Sequence, residues 1–173
     1  DLTGLPVARL ELELTESSLL ADAATATRTL QGLRKDGLRI ALDDFGTGFS
    51  SLAYLRRLPL DKLKIDRSFV RPLEQATDAQ STAIVRTIVD LGRAMNLETI
   101  AEGVETPAQE RALRDLGCAY GQGYLFARPM NAQQTLEFID AYENDDLDLA
   151  ETIAQLRAPQ PTPDFDLRVD DLR

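Results

Sequence analysis

Short apolar segments alternate with helical patterns along most of the chain, and this alternation restricts the fold more than any other feature. Five segments are predicted as strands: 9–15, 39–43, 62–66, 98–104 and 120–126. Apolar residues spaced three and four apart predict helices after them, near 19–37, 52–59, 79–95, 106–117 and 131–142. Repeated strand–helix units with right-handed crossovers imply a parallel sheet covered by helices.

Ionisable or amide side chains stand at or just past the C-terminal end of every predicted strand. They are Glu13 and Glu16, Asp43 and Asp44, Lys64 and Asp66, Glu102 and Glu105, and Gln122. In a parallel barrel such ends open on one mouth, where these enzymes have their active sites. No Gly-x-Gly-x-x-Gly follows a strand, so a dinucleotide-binding fold lacks its main support. The sequence therefore predicts an α/β fold of the TIM-like (α/β) barrel type.

The residue types that are missing restrict the chemistry. The 173 residues contain no histidine and one cysteine, Cys118. Histidine-based triads, histidine metal sites and cysteine-rich zinc sites are thereby excluded. Carboxylates, amides and hydroxyls remain, and such oxygen ligands suit magnesium, manganese or calcium.

The net charge of −10 lies mostly in the C-terminal part of the chain, because residues 137–173 hold eleven acids and three arginines. We expect an acidic extension over 143–173, with a short helix followed by a disordered Pro-rich tail. The body has no strongly basic face, so binding to a DNA or RNA polymer is not expected. Segment 56–71 is a local exception, with six basic residues against two acids.

The adjacent carboxylates Asp43 and Asp44 are predicted to share one site, because Gly46 and Gly48 allow the chain to turn as the strand ends. Two carboxylates about 4 Å apart repel by about 4 kcal/mol at an effective dielectric of 20, which a divalent cation would relieve. The alternative is that Asp44 caps a helix and Asp43 is solvated.

Of four other site positions, three leave alternatives open. Glu13 is placed to enter the mouth, while Glu16 either braces the glycine-rich loop or caps the next helix. Lys64 either meets anions inside the fold or lies exposed on an edge strand, since burial without anions disfavours its charge. Gln122 is either a site amide or an interior hydrogen-bonding residue.

Acids gathered around divalent ions, with one lysine among them, are suited to phosphodiester hydrolysis. Such ions activate water and stabilise the phosphate in its transition state. They also reverse the local charge, so an anionic substrate can enter a pocket of carboxylates.

Five segments together resemble the EAL domain, the cyclic-di-GMP-specific phosphodiesterase domain of bacterial signalling proteins. They are LELELTES at 10–17, DDFGTGFSSL at 43–52, LKIDRSFV at 63–70, AEGVET at 101–106 and GQGYLF at 121–126. The resemblance covers residues 1–142 and implies an (α/β) barrel that hydrolyses cyclic di-GMP to linear pGpG.

The resemblance also implies roles for individual residues. Four carboxylates would bind two Mg²⁺ or Mn²⁺ ions: Glu13, Asp43, Asp44 and Glu102. Asp43 would bridge both ions. Lys64 would hold the attacking water or a phosphate oxygen, and Glu102 would be a general base or a water-mediated metal partner. Three side chains would bind substrate or order the site: Glu105, Gln122 and Asp66. Glu16 would anchor loop 44–51, through which, with the following helix, a homodimer is expected.

The Glu-Ala-Leu signature that names the family does not occur in these residues, and neither does the Asn that the family has on the following strand. About five of the eight strands of the barrel are expected here. We therefore expect the chain alone to be inactive and a longer parent protein to be active. The alternative function is an inactive EAL-type module that binds cyclic di-GMP or another protein.

No apolar run approaches the roughly 20 residues of a membrane span, so a cytoplasmic location is expected, with any anchor in preceding domains.

Overall fold

The structure is a computed structural model that describes residues 4–16, 23–48, 52–74 and 78–143. The chain divides into two compact units, Asp1–Phe126 and Ala127–Arg173. The short helix and tail predicted for the acidic extension, from residue 144 onward, lie outside the described residues. No helix within the four described ranges is both long and apolar enough to cross a membrane.

A five-stranded sheet forms the centre of the first unit. Its strands are β1 Glu11–Thr15, β2 Arg39–Phe45, β3 Lys62–Ile65, β4 Glu98–Glu102 and β5 Tyr120–Gln122. They lie side by side in chain order, and every neighbouring pair is parallel. The predicted parallel sheet is confirmed.

Every strand differs from the prediction at one end. β1 begins at Glu11, two residues late, and β2 continues two residues beyond Asp43. β3 ends at Ile65, one residue early, β4 ends at Glu102, two residues early, and β5 ends at Gln122, four residues early. The chain leaves β5 there because it folds back over Val104. The Val104 N–H donates to the carbonyl of Gln122 at 3.0 Å, and the Leu125 N–H donates to the carbonyl of Val104 at 2.9 Å.

Helices follow the strands, as the alternation predicts. They are α1 Ala23–Lys35, α2 Leu52–Leu55, α3 Arg67–Val70, α4 Ala79–Ala94, α5 Pro107–Asp115 and α6 Ala132–Glu143. The residues Thr-Pro-Ala-Gln at 106–109 predict a capping box at the start of α5. It is confirmed, since the Thr106 side chain accepts from the Gln109 N–H and the Gln109 side chain accepts from the Thr106 N–H. The single-turn helix α3 was not predicted and is capped by Asp66, whose side chain accepts the Ser68 N–H.

The two faces of the sheet differ in chemistry. One face is apolar and lies under the helices, where several strand side chains are fully buried: Ile40, Leu42, Leu63 and Ile65. α4 contributes Val85, Ile88 and Val89 to the same core. Each fully buried side chain of this kind stabilises the fold by about 1.5–3 kcal/mol.

The opposite face carries charged side chains that pair between strands, and we call it the charged face. At the N-terminal ends of the strands, which we call the lower end of the charged face, Lys62 Nζ lies 2.8 Å from Glu11 Oε2, and Arg39 Nη2 lies 2.6 Å from Glu98 Oε2. These ion pairs join residues at the starts of β1, β2, β3 and β4. Strand alternation therefore separates an apolar core from a row of charges that ends at the C-terminal edge of the sheet.

The second unit contains α6, which begins at Ala132, directly after Asn131. The Gln134 N–H donates to Asn131 Oδ1 and the Asn131 N–H donates to Gln134 Oε1, each at 3.0 Å. The apolar spacing that predicts this helix also predicts that Leu136 and Ile139 point inward. That prediction is wrong, because their exposed fractions are 63% and 43%. In the described part of this unit, residues 127–143, no second helix or strand is present to cover them.

The contact between α4 and β4 leaves no room for a side chain at Gly92. A Cβ atom there would lie 2.5 Å from Thr99 Cγ2 and 3.4 Å from the Leu97 carbonyl oxygen. Thr99 is buried and β-branched, so its methyl group cannot move aside at low cost. The glycine therefore sets how closely α4 approaches the sheet.

Gly92→Ala is expected to lower the free energy of unfolding by about 1–3 kcal/mol, because the added methyl group overpacks this contact. Gly32→Ala is the matched control, since Gly32 lies inside α1 and no atom of the described residues is within 4 Å of its Cβ position. It should stabilise the protein by about 0.5–1 kcal/mol. Urea unfolding measures both changes, and stabilisation by both substitutions would contradict the close packing. Thr99→Ser should rescue Gly92→Ala.

Candidate active site

The ammonium group of Lys64 is the centre of a carboxylate cluster at the upper end of the charged face. Its Nζ lies 2.7 Å from Glu13 Oε2, 3.0 Å from Asp43 Oδ1 and 2.7 Å from Glu102 Oε1. Four predicted site residues from four neighbouring strands therefore meet around one atom. The edge-strand alternative for Lys64 is wrong, because β3 lies in the middle of the sheet and the lysine side chain is only 6% exposed.

The contacts of Lys64 keep it charged. Burial by itself lowers the pKa of a lysine, because the ammonium ion loses its water. In this cluster hydrogen bonds to Glu102 and Glu13, together with the contact to Asp43, outweigh burial and raise the pKa of Lys64 above its usual value. Lys64 is therefore a fixed positive charge at neutral pH and a hydrogen-bond donor, not a proton acceptor.

A β-bulge brings two consecutive carboxylates into the cluster. The register between β2 and β3 shifts by one residue between Leu42 and Phe45, so that Asp43 and Asp44 together oppose Lys64. Asp44 takes the extra place with a left-handed backbone, φ 53°, which aspartate tolerates better than most residues. Both carboxylates share one site as predicted, but the cause is a bulge inside the strand and not the end of the strand.

Asp43, Asp44 and Glu102 can each place one carboxylate oxygen within 4.8 Å of the others. Asp43 Oδ1 is buried, and its contact among the described residues is the ion pair with Lys64 Nζ at 3.0 Å. Burial first, and then the charges of Asp43 and Asp66, raise the pKa of Asp44. One ammonium ion thus faces several carboxylates that repel one another. This donor set fits a hard divalent cation.

Glu13 belongs to the cluster through Lys64 and not through the group of three carboxylates. Its side chain is 48% exposed on the edge strand β1. The three carboxylates Asp43, Asp44 and Glu102 come instead from the bulge and from the end of β4. The predicted role of Glu13 as a metal ligand stays a prediction.

Glu16 is buried beneath the loop that follows β2. Its Oε2 accepts the Gly48 N–H at 3.1 Å, and a Cβ atom on Gly48 would lie 2.8 Å from the carboxylate carbon of Glu16. Glu16 Oε1 is buried without a hydrogen-bond partner among the described residues. Of the two roles that the sequence left open, this contact favours the loop anchor.

An open depression of about 1090 Å³ lies beside the cluster. Predicted site residues that line it are Asp44, Asp66, Glu102 and Glu105. The Asp66 carboxylate accepts both the N–H and the hydroxyl of Ser68. Burial raises the pKa of Asp66, but these hydrogen bonds outweigh it and hold the pKa below its usual value.

Glu105 and Gln122 lie at the edge of the site. The side chain of Glu105 is exposed at the depression. Gln122 is the register partner of Glu102 on the neighbouring strand, and its side chain is exposed on β5. The structure thus places both residues next to Glu102, and their roles stay predictions.

Gln109 is a structural residue of the site that the sequence revealed only as part of a capping box. Its side chain is 2% exposed, and its Oε1 accepts the N–H groups of Glu105 at 2.7 Å and Thr106 at 3.1 Å. Its Nε2 donates to the carbonyl of Arg71 at 3.5 Å, 38 residues away in the chain. No local pattern signals such a contact. Gln109 therefore ties the segment of Glu105 to the segment of Arg71.

Comparison with known proteins identifies the family. The model of the EAL domain matches residues 1–129. The chain belongs to the EAL domain family. Its parallel sheet with covering helices is a partial (α/β) barrel of the EAL type, as predicted.

The EAL relatives include enzymes of cyclic di-GMP metabolism. MucR of Pseudomonas aeruginosa, a bifunctional diguanylate cyclase/cyclic di-GMP phosphodiesterase, is 51% identical over 133 residues, which are 77% of this chain and 19% of MucR. NbdA of the same organism, a cyclic di-GMP phosphodiesterase, is 44% identical over 142 residues, 82% of this chain and 18% of NbdA. The chain thus spans about a fifth of the length of these relatives.

A solved structure of the PaMucR phosphodiesterase in complex with c-di-GMP has a TM-score of 0.71 and 50% identity, and the match covers 76% of this chain and 52% of that one. A manganese and c-di-GMP complex of BlrP1 from Klebsiella pneumoniae has a TM-score of 0.67 and 34% identity, with coverage of 73% and 32%.

Lys64→Met is expected to lower the free energy of unfolding by about 2–4 kcal/mol at pH 7, because three partly buried carboxylates lose their shared cation. Lys62→Met is the matched control on the same strand. Among the described residues Lys62 pairs with one carboxylate, that of Glu11, so its loss should cost about 1 kcal/mol. Urea unfolding at pH 7 tests this, and equal losses in the two variants would contradict a cluster organised by Lys64.

Proposed function

We propose that the protein hydrolyses cyclic di-GMP to linear pGpG. The observation that carries this proposal is the meeting of Asp43, Asp44 and Glu102 beside a charged Lys64, at the C-terminal ends of parallel strands. Relatives named as cyclic di-GMP phosphodiesterases and a relative solved with c-di-GMP support the choice of substrate.

The carboxylates of the cluster would hold the divalent cations of this reaction, Mg²⁺ or Mn²⁺. Asp43, Asp44 and Glu102 form the donor set, and we propose two ions, with Asp43 shared and Glu13 as a further ligand. A bound divalent cation lowers the pKa of water and stabilises the charge that develops on the phosphate. The buried Asp43 Oδ1 supports this assignment, because its partner Lys64 is shared with Glu13 and Glu102, as does the manganese in the BlrP1 complex.

Glu102 is proposed as the general base. Its Oε1 is held by Lys64, which orients the carboxylate and leaves Oε2 to accept a proton from the attacking water. The water oxygen bonds to phosphorus as the bond from phosphorus to the 3′ oxygen breaks. The departing oxygen then takes a proton from solvent, which yields the 5′-phosphate and 3′-hydroxyl ends of pGpG.

Lys64 is proposed to donate hydrogen bonds to the attacking water or to a phosphate oxygen. Its raised pKa supports this role, because the group stays charged throughout the neutral range. Asp66, Glu105 and Gln122 are proposed to order the depression or contact substrate. Asp66 would do so as the cap of α3.

Glu16 is proposed to anchor the loop after β2 through the Gly48 N–H. We further propose that this loop and α2 form a homodimer contact. A cytoplasmic location, where the protein would meet its nucleotide substrate, completes the proposal.

The intact protein with Mg²⁺ is expected to convert cyclic di-GMP to pGpG, and Glu102→Gln should lower kcat by about 10²–10⁴-fold because it removes the base. Chromatography of the nucleotide products measures this. Glu98→Gln is the matched control, because it makes the same change on the same strand at the lower end of the charged face. Turnover that survives Glu102→Gln would show that Glu102 is not the general base. Wild-type binding of cyclic di-GMP without turnover would point to an inactive EAL-type module.

Asp43→Asn is expected to weaken Mn²⁺ binding at least tenfold, because an amide carries no charge and offers one oxygen to the cation. Calorimetric titration with Mn²⁺ in the absence of nucleotide measures the affinity. Asp36→Asn is the control, since Asp36 is exposed between α1 and β2. Equal affinity in the Asp43 variant and the wild type would contradict the proposed site.

A further inference from the structure

Two arginines on the rim of the depression are not used by the proposed reaction. Arg67 begins α3, and Arg71 begins the 3-10 turn directly after it. Both side chains are exposed, and both line the depression together with Asp44 and Glu102. They belong to segment 56–71, the locally basic part of an otherwise acidic chain.

The two guanidinium groups are available for a ligand. Across residues 4–16, 23–48, 52–74 and 78–143, no carboxylate lies within 4.0 Å of a side-chain nitrogen of Arg67 or Arg71. The ion pairs found there involve other bases: Arg34, Arg39, Lys62, Lys64, Arg93 and Arg114. Arg67 and Arg71 are also the cations that line the depression.

A helix cap, a close contact with Gly103 and a buried glutamine side chain hold the two arginines in place. Asp66 caps α3 at Arg67, and Gly103 has a left-handed backbone, φ 66°, with its Cβ position only 2.6 Å from Arg67 Cβ. Any larger residue at Gly103 would push Arg67 away from the end of β4. The backbone of Arg71 is held by the buried Gln109 side chain. The rim is therefore positioned against the same strand end that carries Glu102.

The chemistry of the proposed substrate requires a second cationic position. A cyclic dinucleotide has two phosphodiesters, and only one of them can lie at the carboxylate cluster during a hydrolytic step. The other charged side chains of the depression are carboxylates, those of Asp44, Asp66, Glu102 and Glu105, which would repel the second phosphate. Guanidinium groups bind phosphate oxygens through two parallel hydrogen bonds.

We propose that Arg67 and Arg71 form a subsite for the phosphodiester of cyclic di-GMP that is not cleaved. This inference rests on the proposed function, and it assigns the two residues to substrate binding and not to the chemical step. An arginine can also recognise guanine through its O6 and N7 atoms, and the choice of substrates below separates the two cases.

Arg67→Ala and Arg71→Ala in the intact protein test the subsite on three substrates. KM for cyclic di-GMP is expected to rise about tenfold or more in each variant, with kcat within about twofold, because a charge-assisted contact made in the bound state is lost. Values of kcat/KM for bis(4-nitrophenyl) phosphate and for linear GpG should change by less than about twofold. Each of these has a single phosphodiester, and GpG retains both guanines. Arg86→Ala, an exposed arginine on α4, is the matched control and should leave all three substrates unaffected.

An unchanged KM for cyclic di-GMP in both variants would overturn the subsite. An equal fall in kcat/KM for GpG would overturn the subsite in favour of guanine recognition. Equilibrium binding of cyclic di-GMP in the presence of Ca²⁺ separates this inference from the proposed function. Wild-type binding that falls tenfold in the arginine variants, without turnover by any variant, would support the subsite and overturn the hydrolysis. A wild type that neither binds nor hydrolyses cyclic di-GMP would overturn both.

Discussion

The buried ammonium ion of Lys64 is the contact on which the candidate site depends. Carboxylates from β1, β2 and β4 converge at the top of the charged face, and any two carboxylates 4 Å apart repel by about 4 kcal/mol at an effective dielectric of 20. Lys64 on the central strand lies within 3.0 Å of one oxygen from each of the three. The ammonium ion compensates only part of their charge. The same cluster can therefore be stable in the folded chain and still attract a divalent cation.

The backbone positions the rest of the site through small irregularities. A one-residue bulge turns Asp43 and Asp44 toward the same end of the sheet. A left-handed glycine at the end of β4 lets Arg67 approach, and Gln109 connects two loops that border the depression. Regular strands would alternate their side chains between the two faces. These departures from regularity are what place acids and arginines around one opening.

Much of the fold and of the site could be predicted from local patterns. All five strands were predicted, and the side chains at the ends of β1 to β4 meet around Lys64. The patterns did not reveal α3, a single turn too short to show helical periodicity. They also predicted that Leu136 and Ile139 are buried, because an apolar stripe on a helix usually packs against a neighbour. No such neighbour is present in the described part of that unit.

The sequence by itself determined the order of strands and helices, the absence of histidine chemistry, the set of carboxylates and the membership of the EAL family. Only the tertiary structure decided which of these groups touch. Lys64 meets Glu13 from 51 positions earlier and Glu102 from 38 positions later because β1 to β4 pack side by side. The bulge at Asp43 and Asp44 and the contact from Gln109 to Arg71 depend on pairing between distant segments. Local periodicity reports which face of its own element a residue occupies, and it carries no information about the register of the neighbouring strand.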